Sequence, residues 1–283
     1  RLIVLPLTGS GQTGPYARRP GFARIFEAMS GLTHLTGEAD GPPQHMNYPL
    51  GDAVSGVFGA FAIAAALAGR NAQPRAQQRG VEIDLSATEA LIRLMDPLAA
   101  EHRIGNVVRG RAGSRATYTA PSNVYKTADG AWITLVGSAD AIFARLCRAM
   151  ARGDLAADTR FATNVSRTTN LEALDAIVAA WCSARTFAEI AACLDDAQVP
   201  FSKVYSIEDV QADPHFRARG TMIDLQDPQL GAIPAPAPVP RFTGRHAEVP
   251  AVGPDTGQHN QEVYGALGLG ADELARLRSA GVI

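Results

Sequence analysis

Leu50-Gly51-Asp52-Ala53-Val54-Ser55-Gly56 places a carboxylate between glycines where an apolar, helix-forming stretch begins. Asp52 has an ordinary use there: an aspartate commonly caps a helix by accepting from its first backbone N–H groups. It also has a chemical use. The positive end of the helix dipole and nearby N–H groups favour an ionised carboxylate, and Gly51 and Gly56 leave room for a bulky substrate. Such a carboxylate can attack an activated acyl group and carry it covalently. Residue types and spacing leave both uses open.

Gly9-Ser10-Gly11-Gln12-Thr13-Gly14 follows a strand-like run and matches the glycine pattern of dinucleotide sites. That pattern needs a helix to open within it. Pro15 and Pro20 follow instead, so the segment reads as a loop. Cys147, Cys182 and Cys193 show neither CxxC nor Cys/His metal spacing and are expected to be buried free thiols of a reducing compartment. A cytoplasmic location follows as an expectation, and the spacings offer no metal site.

The elements that must position Asp52 can be read around it. Leu2–Leu7 reads as a strand, Phe22–Met29 as a short helix, and Ser30–Gly51 as mostly loop with a turn at Gly41-Pro42-Pro43. Asp52 then opens a helix to about Arg70, apolar on nearly every side and expected to be buried all round. Val81–Leu85 reads as a strand. Ser86-Ala87-Thr88-Glu89 reads as a capping box that starts a helix reaching His102. Beyond a linker at Gly105–Gly113, Ser122–Lys126 and Ala131–Val136 predict a hairpin around Ala128-Asp129-Gly130. Helices are expected at Ala139–Ala151, Asn170–Ala184, Thr186–Ala197, Ile207–Gln211, Glu262–Leu267 and Ala271–Ala280. The proline-rich Ile233–Pro240 reads as an extended connector.

The 283 residues are 46% hydrophobic and 19% charged with a net charge of −2, which gives no basic surface for nucleic acid or anionic membrane. No apolar run is expected to reach the roughly 20 residues of a membrane span. The first residues, Arg1 to Thr8, read as a strand already inside a domain, so an N-terminal portion of that domain is expected to be absent from this chain.

Several segments occur in a telling order: Gly11-Gln12-Thr13-Gly14-Pro15-Tyr16, Arg19-Pro20-Gly21-Phe22, Ser30-Gly31-Leu32, Thr36-Gly37, Asp40-Gly41-Pro42-Pro43, Gly51-Asp52 and Val81-Glu82-Ile83-Asp84-Leu85-Ser86. Asn123-Val124-Tyr125, Asp129-Gly130, Asp213-Pro214-His215-Phe216 and Arg217-Ala218-Arg219-Gly220 continue the series. Together they resemble the class III, CaiB/BaiF-type, CoA-transferases, a family that includes formyl-CoA transferase and carnitine CoA-transferase.

The resemblance implies an α/β fold with a Rossmann-like large domain, a smaller α+β domain and an interlocked homodimer. On it, residues 1–110 belong to the large domain, 111–222 form the small domain, and 223–283 return to the large one. It makes Asp52 the nucleophile that carries first an acyl group and then CoA, with acyl-CoA and a small carboxylic acid as substrates and no permanently bound cofactor. Gln12, Tyr16, Arg19, His45, Asn47, Tyr48 and Gly51 are the candidate substrate-binding residues, beside the catalytic Asp52. Arg111 and Arg115 are candidates for a carboxylate or the CoA phosphates, and His34 is read as structural. Gly113-Ser114-Arg115-Ala116-Thr117-Tyr118 stands where formyl-CoA transferase has a glycine run, which argues against formate or oxalate.

Two alternatives remain at this stage. Acyl-CoA racemases of the same family need acid/base groups on both sides of the Cα, and a His-Asp pair follows their Pro-Gly turn; Phe22-Ala23 stand there in this chain. A catalytically silent CoA-binding protein is the other alternative, against which the intact Gly51-Asp52 pair argues.

Overall fold

The computed structural model describes residues 1–245 and 251–283. Its first strand-like run forms β1 (Ile3–Val4) and β2 (Leu7–Thr8), which pair in parallel with β3 (Val81–Glu82) and β4 (Leu85–Ser86). The ladder is continuous in one direction: the N–H groups of Val81, Ile83 and Leu85 donate to the carbonyls of Leu2, Val4 and Pro6 at 3.1, 2.8 and 3.1 Å. Pro6 has no N–H to return, so the single expected strand is split in two. Between the β1–β2 and β3–β4 runs the chain forms α1 (Ala23–Ser30), α2 (Leu32–Leu35) and α3 (Leu50–Asn71). Parallel neighbours need such a crossover, and α3 packs on β1, β4 and α1.

Helix α3 is the longest element, and it departs from the expected all-round burial. Gly51, Ser55 and Gly59 are its buried residues, while Val57 is 71% and Phe61 73% exposed. Among the described residues, other elements cover one face of α3, and much of the rest of its apolar surface is exposed. With 22 residues and a mean hydropathy of 1.7 over its most apolar window, α3 is long and apolar enough to cross a membrane by length and composition, contrary to the expectation that no run approaches that length.

The expected helix from Ser86 to His102 is two: α4 (Ala87–Leu94) and α5 (Pro97–Gly105). Pro97 breaks it, because proline in a helix interior removes a hydrogen bond and clashes with the preceding turn. Ser86 Oγ accepts from the Glu89 N–H at 3.2 Å, half of the expected capping box. The same hydroxyl donates to Gly9 O at 3.2 Å, which ties α4 to the glycine loop.

The hairpin is present as β5 (Ser122–Lys126) and β6 (Trp132–Val136). Three helices follow: α6 (Asp140–Ala149), α7 (Asp154–Ala157) and α8 (Asn164–Thr169). Then come α9 (Leu171–Ser183), α10 (Phe187–Asp196) and β7 (Phe201–Lys203), an unforeseen third strand antiparallel to β6. The main hydrophobic core lies here. Ile133, Leu135, Phe143, Leu146, Leu174, Val178, Ile190 and Leu194 are all 2% exposed or less. Burial pushes the Cys147 thiol up to about 11 and the Cys182 thiol up to about 12. Cys193, expected to be buried, is exposed on α10.

Asp175 of α9 accepts from the Tyr125 hydroxyl at 2.7 Å and from Asn123 Nδ2 at 3.1 Å, and its carboxylate meets Arg115 Nε at 2.7 Å. Burial first, and then the Asp175 charge, push the Tyr125 phenol far above its ordinary value.

These elements make up one compact unit, Arg1–Val204; a second spans Tyr205–Ile283. The second contains α11 (Ile207–Ala212), α12 (Pro214–Ala218), β8 (Met222–Asp227), β9 (Gly231–Pro236), α13 (Asn260–Ala266) and α14 (Ala271–Ser279). The proline-rich stretch expected to be a connector is largely β9, antiparallel to β8. Pro234 and Pro236 cannot donate, and strands tolerate this where a sheet edge is left open. Asp213 caps α12 through the His215 N–H at 2.8 Å and accepts from the Tyr205 hydroxyl at 2.7 Å.

Arg167 is the largest fully buried side chain. It donates to the carbonyls of Ala120, Phe161 and Ser138 at 2.8, 2.9 and 2.5 Å and pairs with Asp140 at 2.7 Å. Arg167→Leu strands those carbonyls, two of them on fully buried residues, and is expected to cost on the order of 3 kcal/mol. Urea denaturation checks this: an unchanged midpoint would show that the carbonyls find other partners.

Candidate active site

Asp52 does not cap α3. The helix starts two residues earlier, at Leu50 after Pro49, and Asp52 stands exposed in its first turn with no side-chain capping bond. The first amides of a helix lack intrahelical acceptors, and here they are shared out. The Leu50 N–H turns back to Tyr48 O at 2.8 Å, and the Gly51 N–H donates to Glu27 Oε1 at 3.1 Å. The Ala53 N–H bonds Pro49 O at 3.2 Å as a regular helical amide. Among the described residues, the Asp52 N–H is left without an acceptor. Glu27, on α1, therefore does the work expected of Asp52, and frees the Asp52 carboxylate from it.

Glu27 is 2% exposed. Its second oxygen lies 3.2 Å from His45 Nδ1, and the Thr33 hydroxyl is 3.3 Å from the same nitrogen. One carboxylate thus joins α1, the loop before α3 and the start of α3. Gly51 makes the approach possible. A Cβ at that position would sit 3.2 Å from Ala23 O and 3.5 Å from Leu91 Cδ1. Ser55 Oγ donates to Gly51 O at 2.6 Å one turn later.

The other candidates fall into separate clusters. Gln12 is bound to the parallel strands: its N–H donates to both Asp84 oxygens at 3.1 and 3.0 Å, and its Nε2 donates to Glu82 Oε1 at 3.1 Å. The Arg19 guanidinium stacks 3.7 Å over the Tyr16 ring. Asn47 and Tyr48 are exposed in the segment leading into α3. His45 is held by Glu27, with its side chain 29% exposed. Among the described residues, no hydrogen bond or ion pair joins any of these side chains to Asp52. Arg111, a candidate for CoA phosphates, bridges α2 and the loop before α3, donating to His34 O at 3.2 Å and to Gly41 O at 3.0 Å. Arg115 is committed to Asp175. The glycine loop opens no helix; the next one is α1 at Ala23, as the prolines implied. No group of three or more His, Cys, Asp or Glu placed to hold a metal occurs among the described residues.

The Asp52 carboxylate thus stands exposed in the first turn of α3 with its oxygens uncommitted among the described residues. The sequence model of CoA-transferase family III matches residues 1–260, and the chain belongs to that family. A succinyl-CoA–D-citramalate CoA-transferase of Chloroflexus aurantiacus is 37% identical over the whole of this chain, which covers 69% of its length. A mouse succinyl-CoA:glutarate CoA-transferase is 28% identical over the whole chain and 64% of its own length. The crystal structure of a CaiB/BaiF family protein from Brucella suis superposes with a TM-score of 0.78 at 29% identity, over 94% of this chain and 68% of that one. The chain thus spans about two thirds of the length of these relatives. The mixed α/β architecture is shared with the solved structure.

Gly51→Ala tests the close approach. Alanine favours a helix by about 1 kcal/mol over glycine, which opposes the crowding against Ala23 O, so a small change in melting temperature is expected. Transfer by the full-length protein should nevertheless slow about 10-fold or more, because Asp52 shifts with its turn. Wild-type turnover would show that this contact does not set the position of Asp52.

Proposed function

We propose that the protein is an acyl-CoA:carboxylate CoA-transferase that works through an aspartyl-CoA thioester at Asp52. The observation that carries the mechanism is the exposed Asp52 carboxylate in the first turn of α3, with its capping duty taken by Glu27. An Asp52 oxygen attacks the donor thioester; the C–S bond breaks and CoA leaves as thiolate, giving a mixed anhydride. The thiolate attacks Asp52 Cγ and expels the donor carboxylate, giving the aspartyl-CoA thioester. An acceptor carboxylate attacks the same carbon and releases the thiolate. The thiolate then takes the acceptor's acyl carbon, and Asp52 is restored. Charge balances at each step and no proton moves. We read the Asp52 N–H, which has no acceptor among the described residues, as the donor to a developing oxyanion, where fixed donors have most effect.

The relatives named for succinyl-CoA with citramalate and with glutarate support a C4–C5 dicarboxylate as donor and acceptor class. The proposal includes an interlocked homodimer of the full-length chain, the three-part division at 110/111 and 222/223, and a cytoplasmic location without membrane association. The apolar α3 is read as a packing helix, since its start is pinned by polar contacts to α1 and Gly59 lies against Leu5 and Leu85. Gln12, Tyr16, Arg19, Asn47 and Tyr48 remain the proposed borders of the acyl and acceptor sites.

Incubation of full-length enzyme with succinyl-CoA and no acceptor should add mass to a peptide containing Leu50 to Gly56, and hydroxylamine should convert loaded Asp52 to a hydroxamate. Asp52→Ala should abolish both effects and transfer. Stability should fall by no more than the ~0.3–1 kcal/mol of a helix-dipole charge, less than a lost cap. Turnover of a substrate pair with no modification of Asp52 would remove Asp52 as carrier.

Racemisation is disfavoured by the same geometry. Phe22, where racemases carry histidine, is 84% exposed and has no titratable group, and Ala23 is buried against Gly51. Incubation with a 2-methylacyl-CoA in deuterated water should leave the Cα proton unexchanged; deuterium uptake at turnover rates would overturn this.

A further inference from the structure

We infer that Glu27 is the positioning residue for the nucleophile: its bond to the Gly51 N–H fixes the first turn of α3 and so sets where Asp52 meets the thioester. The inference rests on Asp52 being the carrier and adds a residue outside the family-like motifs.

Three observations support it. Glu27 is a carboxylate buried to 2% exposure, and its two oxygens are spent on different elements, Oε1 on the Gly51 amide and Oε2 on His45 Nδ1. A buried charge is costly unless it is paired and hydrogen-bonded, so both bonds hold it in place, and it in turn holds the helix start. The Gly51 amide it takes is the immediate neighbour of the unpaired Asp52 amide. Pro49 precedes this turn, and a Cβ on Gly51 would stand 3.2 Å from Ala23 O, so the turn lies close against α1 at the point where Glu27 holds it. His45, together with the Thr33 hydroxyl 3.3 Å from the same nitrogen, orients the Glu27 carboxylate.

Positioning separates from scaffolding in the kinetics. Misplacing a reacting group by about 1 Å can cost about 10²-fold in rate, whereas a purely structural contact lowers the folded fraction and leaves the turnover of folded molecules alone. Three full-length variants divide the possibilities. Glu27→Gln keeps the length and an acceptor oxygen for the Gly51 N–H, and should retain kcat within about threefold. Glu27→Asp keeps the charge but falls short by one methylene, and should lose about 10-fold in kcat with KM for succinyl-CoA little changed. Glu27→Leu keeps the bulk and loses the acceptor, and should lose about 10²-fold.

All rates are taken per folded molecule, with melting temperature measured alongside. If the Leu variant does not fold, the Gln and Asp variants decide: Gln near wild type with Asp impaired supports the inference, and the reverse order overturns it. Unchanged kcat in both the Asp and Leu variants, whatever their melting temperatures, also overturns it. Asp52→Asn run in parallel keeps the two claims apart. If Asp52→Asn turns over, the carrier assignment has failed. If it is dead while the Glu27 series keeps its kcat, the positioning role alone has failed.

Discussion

The start of α3 lies close enough to α1 that a single Cβ at Gly51 would stand 3.2 Å from Ala23 O, and at that contact the Gly51 amide reaches the buried Glu27 carboxylate. Much of the first unit's N-terminal part depends on this meeting. Helix α1 is held by it, and α4 abuts it through Leu91. The loop after the Gly41-Pro42-Pro43 turn is anchored to it through His45, and Arg111 braces the same loop from the other end. A helix end must satisfy its first amides somehow. Here the acceptor comes from another helix 24 residues back, which converts a local capping requirement into a tertiary lock.

The lock leaves the Asp52 carboxylate without a capping role. A capping carboxylate has its oxygens turned into the backbone of its own helix. Asp52 is released from this duty and stays exposed in the first turn, within the favourable end of the helix dipole. The carboxylate that must be rigid is buried, and the carboxylate proposed to react is open to solvent and substrate.

The parts of this arrangement visible in the sequence were the local ones. Gly51-Asp52 before an apolar run announced both the helix and the carboxylate, and the β5–β6 hairpin followed from alternation around Asp129-Gly130. Glu27 was missed because its partners, His45 and Gly51, lie 18 and 24 residues away and no spacing rule links them. Its only local signal is a charged residue between Phe26 and Met29, on a helix whose charge would otherwise be expected to face solvent. Pro97 is a legible break that a reading from the capping box at Ser86 passes over. The prolines of β9 masked a strand because β-propensity counts the missing donors and not the carbonyls that remain. The exposure of α3 could not be read at all, since composition reports how apolar a helix is and not how much of its surface this chain can cover.

The chemistry proposed for Asp52 asks for no acid/base partner, and among the described residues no hydrogen bond or ion pair is made to its side chain. Carboxylate attack on a thioester expels a thiolate, and each later step exchanges one anion for another, so no group has to give or take a proton. An enzyme of this kind gains nothing from a tuned histidine beside its nucleophile. What it must supply is the angle and distance of attack, and fixed N–H donors where oxyanion charge develops. His45, the histidine nearest Asp52 in sequence, is accordingly directed to Glu27 at 3.2 Å and forms no hydrogen bond or ion pair with Asp52. Polar contacts and close packing are concentrated at Gly51, one residue before the proposed nucleophile, where they do not compete for the Asp52 oxygens.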